Sequence, residues 1–142
     1  MFTWLLKKTI GTKNDRELKR LGKTVVLINE KEQEYQRLTD AELRAKTDEF
    51  RERLRPHVEA LRAKEEECRF LSRQERREAT QQLRAQLNLA LDDLLPEAFA
   101  AVKNVCRRLV ERKTTFDVCD HPVTWIEIPY DVQLIGAIVL HR

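Results

Sequence analysis

Glycine and proline are scarce in this chain, three and four residues among 142. So few turn-formers argue against a β-sandwich or barrel with many tight connections. Long apolar runs are missing too: none reaches the roughly 18 residues that span a bilayer. Cysteine is sparse, and Cys68, Cys106 and Cys119 have no paired spacing. They read as reduced thiols in a reducing, cytosolic compartment. Aromatics make up 6% of the residues, and few lie in the basic N-terminal stretch. Single-stranded nucleic acid binds by base stacking on aromatic side chains, so no nucleic acid is expected as a partner despite a pI near 8.8. The N-terminus makes a poor secretion signal, because no charge precedes Phe2 and lysines interrupt the apolar run at once.

What is abundant is charge, 36% of the residues, and its distribution is uneven. The first 24 residues hold seven basic side chains (Lys7, Lys8, Lys13, Arg16, Lys19, Arg20, Lys23) against Asp15 and Glu17. That is an excess of five in a chain whose net charge is +3, so everything after Thr24 is slightly acidic. On a helical wheel Phe2, Leu5, Leu6 and Ile10 share an arc of roughly 140°, with Lys7 and Lys8 opposite and Trp4 near the edge. A basic helix with one apolar face and an indole at its border suits an anionic bilayer surface. The same face would equally suit the protein's own core or a second subunit. Each cation near an anionic surface contributes about 1 kcal/mol, screened by salt, which gives reversible attachment rather than anchoring.

The periodicity predicts a mainly α fold, with a long charged helix or helical hairpin and one short β-hairpin near residues 115–128. Four segments follow: a basic amphipathic arm at 1–24, a helical segment at 25–56, a charged helical insertion at 57–91, and a final segment at 92–142. Gly11 ends the first helix, and Asn14 with Glu17 opens the next as a capping box, with apolar positions from Leu18 to Ile28. Gly22-Lys23-Thr24 resembles the tail of a phosphate-binding loop, but Glu17 stands where that motif needs glycine, so it is assigned to helix. Thr39 and Glu42 form a second capping box, and Pro56 ends or kinks the helix that follows. From Arg51 to Gln86, 17 of 36 residues are charged with signs mixed, which reads as a solvated, projecting element. Pro96 falls in the first turn of a further helix beginning near Asp92, whose C-terminal Arg107, Arg108, Arg112 and Lys113 complement its dipole. Thr115–Val118 and Val123–Ile128 pair as a hairpin, and Tyr130–Leu140 forms an apolar helix with Gln133 inside it. Cys119 and His121 supply two possible ligands without a second pair, so no metal is expected.

Four stretches resemble the N-terminal portion of the SecA family of preprotein translocase motor ATPases. They are the basic arm with Lys13-Asn14-Asp15-Arg16, then Leu38-Thr39-Asp40-Ala41-Glu42-Leu43 with Lys46-Thr47 and Phe50-Arg51. Leu94-Leu95-Pro96-Glu97-Ala98-Phe99-Ala100 and Tyr130-Asp131-Val132-Gln133-Leu134-Ile135-Gly136 complete the set. The resemblance implies a motor that uses ATP, with Mg²⁺ in the longer parent, to push unfolded preproteins through the SecYEG channel. It implies a cytoplasmic protein held peripherally at the inner (plasma) membrane, its basic helix meeting anionic phospholipid and the channel. It also makes the last stretch a Q motif, opening a helicase-like nucleotide fold, with Gln133 matching the glutamine that reads the adenine edge. A carboxamide offers one donor and one acceptor, which adenine N7 and N6 match.

The chain departs from the family between Arg55 and Leu87, where charged residues lengthen a usually short connection, and at Thr115–Ile128, an insertion. Tyr130 stands where phenylalanine is common, and Ala137 replaces a second glycine. The phosphate-binding loop that follows in the family does not occur before Arg142. These 142 residues alone are therefore expected to hydrolyse no ATP and to bind it negligibly. Apolar faces cut from neighbouring domains predict a homo-oligomer, with Phe2, Trp4 and Tyr130–Leu140 as contacts; a monomer by light scattering at high concentration counts against it. The competing reading is a stand-alone helical interaction or membrane-surface module with no motor attached.

Overall fold

A computed structural model describes residues 13–141. Among them the order is α1 (Lys13–Tyr35), α2 (Asp40–Glu67), α3 (Arg73–Glu111), β1 (Thr115–Val118), β2 (His121–Thr124) and α4 (Asp131–His141). The fold is mainly α, with one two-stranded antiparallel sheet. The chain divides into two compact units. One joins residues up to Gln36 with those from Phe99 onward, and the other is Arg37–Ala98.

In the first unit α1 buries a stripe at Leu21, Val25, Ile28, Glu32 and Tyr35, spaced alternately by four and three. That spacing keeps one face inward along a helix. Leu18, Val26 and Leu27, expected with the stripe, lie on other faces and are about half exposed. The stripe meets Ala100, Lys103, Asn104 and Cys106 of α3 in the same core, with Leu134 and Ile138 of α4. Burying an isoleucine such as Ile28 or Ile138 contributes about 1.5–3 kcal/mol. Because the stripe begins at Leu21, α1 runs unbroken through position 24, with the basic residues and the core on one helix. Asn14 lies within α1 rather than ahead of it, and Gly22-Lys23-Thr24 is helical.

α3 ends in a Schellman motif. Thr114 N–H donates to the Leu109 carbonyl at 2.9 Å and Lys113 N–H to that of Val110 at 3.0 Å. Lys113 is the left-handed residue at φ 51°. The hairpin follows, with Phe116 opposite Val123 and Val118 opposite His121. Cys119 and Asp120, at φ 51° and 63°, form its two-residue turn, the conformation that a type I′ connection requires. β2 is shorter and earlier than expected, ending at Thr124.

The second unit is a helical hairpin. Arg53 pairs with Glu97 at 2.8 Å and Arg84 with Glu65, so positions whose numbers sum to about 150 face each other, as antiparallel helices require. Thr39 and Glu42 form the expected capping box at the start of α2, with Glu42 N–H donating to Thr39 Oγ1 and Thr39 N–H to Glu42 Oε2. Ser72 and Glu75 form another at the start of α3. Pro56 and Pro96 both sit inside helices, so of the two outcomes expected at Pro56 the helix does not end there, and Pro96 does not open a helix. Proline removes one N–H and crowds the preceding turn at a cost of about 3 kcal/mol. At Pro56 the residues around the break are exposed, so water reaches the released Glu52 carbonyl, and strong helix formers resume on both sides. At Pro96 the burial of Leu94, Leu95 and Ala100 favours continuation. α2 and α3 thus pass through positions 56–57 and 91–92 without interruption.

A candidate adenine pocket with Gln133 at its rim

Gln133 lies in the first turn of α4, where two interactions fix its place. Its own Oε1 accepts the Tyr130 backbone N–H at 2.8 Å, while its N–H donates to the Tyr130 carbonyl at 2.9 Å. This is the back-reaching half of a capping box: the third helical residue reaches back to the residue before the helix, while Tyr130 accepts in return only through its backbone carbonyl. The carbonyl oxygen keeps one lone pair, and Nε2 keeps both hydrogens, since neither has a partner among the described residues.

The helix start itself is tied down two residues earlier. Asp131 Oδ1 accepts from Asn29 Nδ2 of α1 at 3.1 Å and lies 3.6 Å from Lys103 Nζ of α3. Lys103 Nζ also donates to Asn29 Oδ1 at 2.7 Å. The Lys103 side chain is only 10% exposed, so its charge is compensated inside the protein rather than by water. An acid in the first turn of α4 also meets the positive end of the helix dipole.

Beside Gln133 is a cavity of about 410 Å³. Phe99, Val102 and Cys106 of α3 line one side, Trp125 and Pro129 another, and Leu134 and Ala137 of α4 a third; Gln133 and Glu127 are the polar groups. Trp125 is oriented by its indole Nε1, which donates to the Glu127 carbonyl at 2.6 Å, and by edge-on contact with Phe116, centroids 6.3 Å apart at 78°. Burial pushes the Cys106 thiol pKa up, so at neutral pH it is a protonated, apolar wall rather than a nucleophile. An apolar slot with one amide at its edge fits a flat heteroaromatic base. The lining offers no cation for phosphate, and nearby Lys103 is held by Asn29 and Asp131.

One turn further along α1, Glu32 is 3% exposed and forms a second polar cluster. Its Oε1 accepts from Asn104 Nδ2 at 3.0 Å and Arg107 Nε at 2.8 Å; its Oε2 accepts from Gln36 Nε2 at 2.9 Å and Arg107 Nη2 at 3.3 Å. Arg108 Nε donates to Asn104 Oδ1 at 2.8 Å and Arg108 Nη2 to the Tyr35 carbonyl at 3.0 Å. Burial alone would raise the Glu32 pKa, but hydrogen bonds from Arg107, Gln36 and Asn104 outweigh it and hold the pKa below the ordinary range. Arg107 and Arg108, expected as dipole complements, instead bind α1 to α3.

Of the basic arm, Arg16, Lys19, Arg20 and Lys23 are exposed on α1, at three- and four-residue spacings that place them on one side. Lys13 begins α1, and its side chain lies outside the described part. Phe2, Trp4, Leu5, Leu6, Lys7, Lys8 and Ile10 lie outside the described residues, as does the expected stop at Gly11. Cys119 and His121 are exposed on the hairpin. No described helix is long and apolar enough to cross a membrane.

A profile of the SecA DEAD-like domain matches residues 6–142. The protein translocase subunit SecA of Chlamydia felis is 34% identical over 137 residues, covering 96% of this chain and 11% of that protein. The subunit of the same name from Chlorobium phaeobacteroides is 34% identical over 151 aligned positions, 97% of this chain and 14% of the relative. That of Chlamydia trachomatis serovar L2 is 34% identical over 137 residues, again 96% and 11%. No solved structure matches the chain. It thus spans 11–14% of the length of these relatives. On the matched span and identity, this chain belongs to the SecA DEAD-like domain family.

Proposed function

We propose that this chain is the part of a protein-translocating ATPase that reads the adenine base and holds the motor to an anionic membrane surface beside the SecYEG channel. The observation that carries it is the placement of Gln133, an amide held by Tyr130 at the edge of an apolar slot. In this reading Trp125 and Phe99 cover the faces of the base, Gln133 Nε2 donates to adenine N7, and its spare lone pair accepts from N6. ATP supplies phosphoryl-transfer chemistry only when Mg²⁺ and a phosphate-binding loop are also present. The described pocket holds neither cations for phosphate nor a glycine-rich turn, so these residues bind the base weakly and turn over no ATP. The exposed Arg16, Lys19, Arg20 and Lys23 supply part of the charge for the membrane surface, at the cytoplasmic face. Unfolded preproteins are the substrates of the longer motor. Self-association through the exposed Val132, Val139 and Leu140 of α4 belongs to the same reading.

The test is a titration with adenosine and guanosine followed by the Gln133 side-chain amide and Trp125 indole resonances. Adenosine moves both, with a Kd on the order of millimolar. Guanosine has an acceptor at O6 where adenine has a donor at N6, and leaves them in place. Equal shifts for the two nucleosides, or shifts confined to other residues, would contradict the assignment.

A further inference from the structure

The turn that joins α2 to α3, Cys68–Ser72, carries the most exposed aromatic side chain among the described residues: Phe70 is 88% exposed, and Leu71 beside it 42%. Arginines surround this pair. From Lys64 to Glu78 cations and acids number five each, but Glu65, Glu66 and Glu67 are taken up by Arg84, Arg69 and Lys64. Glu75 is turned inward on the backbone: its Oε2 accepts the Ser72 N–H at 2.9 Å, closing the cap of α3. Arg76 Nη2 donates to the Arg69 and Leu71 carbonyls at 2.7 and 3.3 Å, which fixes the turn. The Arg69 guanidinium lies 4.9 Å from the Phe70 ring centroid and pairs with Glu66. Arg73 and Arg77 are exposed with no acid partner among the described residues.

We infer that this turn is a docking point for an anionic lipid surface, separate from the basic arm. A turn that joins two antiparallel helices sits at the far end of their hairpin. A fluid interface conforms to such a tip: Phe70 and Leu71 enter the headgroup boundary while Arg73 and Arg77 stay at phosphate level. The cations match anionic headgroups, and the fixed turn means little ordering cost on docking. This deepens the membrane reading of residues 1–24 and stands on its own residues, so each can fail alone.

The experiment places a polarity-sensitive dye on the full chain. Phe70→Cys is made with Cys119→Ser; the remaining Cys68 and Cys106 are buried. Vesicles containing phosphatidylglycerol are expected to shift the dye to the blue, and nitroxide lipids to quench it, while vesicles of phosphatidylcholine alone do neither. Arg73→Glu with Arg77→Glu is expected to remove the shift and weaken vesicle binding roughly tenfold or more, at unchanged helical content, since each charge near the surface counts. A dye that stays water-like on phosphatidylglycerol vesicles overturns the inference, as does affinity indifferent to the two reversals. An equal shift with soluble poly-glutamate would identify an acidic protein partner instead and also overturn it. A shift that persists after Lys7, Lys8 and Lys13 are reversed keeps the turn even if the arm fails.

Discussion

Glu32→Ala is expected to lower the stability of the chain by about 3 kcal/mol, against a total on the order of 5–15 kcal/mol for a domain. The carboxylate accepts four hydrogen bonds from Asn104, Arg107 and Gln36. Removing it strands Asn104, 1% exposed, and leaves a guanidinium in a core position; Arg107 is 30% exposed at its side chain, so water recovers part of the loss. Glu32→Gln keeps the shape but turns an amide NH₂ toward donors, and falls between the two. The loss depends on pH with a definite sign. The folded pKa lies below the ordinary carboxylate value of 4.5. The stabilisation from Glu32 is therefore fully present above 4.5 and disappears as pH falls through the folded value. Urea midpoints for wild type and Glu32→Ala should differ fully at pH 7 and converge in acid. A constant difference across that range would show that ionised Glu32 is not what holds α1 to α3.

The second large effect is on membrane attachment. Lys7→Glu, Lys8→Glu and Lys13→Glu together change the excess of five positive charges in residues 1–24 to one negative. At about 1 kcal/mol per cation near an anionic surface, and with salt screening, vesicle affinity is expected to fall by at least roughly a hundredfold. Reversal is a better test than deletion of residues 1–24. Leu21 is 2% exposed in the core of α1, so deletion would damage the fold along with the charge.

Local signals were legible where neighbours in sequence are also partners in space. The Thr39–Glu42 box, the hairpin at β1 and β2, and the helix carrying Gln133 follow from patterns spanning three to ten residues. The Ser72–Glu75 box has the same signature and was readable in the same way. Long-range partners are a different matter. Glu32 occupies a stripe position that apolar periodicity reserves for a hydrophobe, and its partners Asn104 and Arg107 lie more than 70 residues away. Nothing local links Asn29, Lys103 and Asp131, yet they anchor the helix that presents Gln133. The prolines were harder to read for a related reason: propensity ends or kinks a helix at Pro56 and opens one at Pro96, whereas solvent access at the first and core burial at the second let both helices continue. The apolar slot beside Gln133 needed tertiary structure, since Phe99, Trp125 and Leu134 meet only when the chain returns on itself.

The most direct measurement of the membrane claim is co-sedimentation with vesicles of graded phosphatidylglycerol content, at low and physiological salt, for the chain and the Lys7, Lys8 and Lys13 reversal. Binding that climbs with anionic lipid, weakens with salt and collapses in the reversed variant is the predicted result. Attachment that ignores headgroup charge, or that the three reversals leave intact, would contradict it.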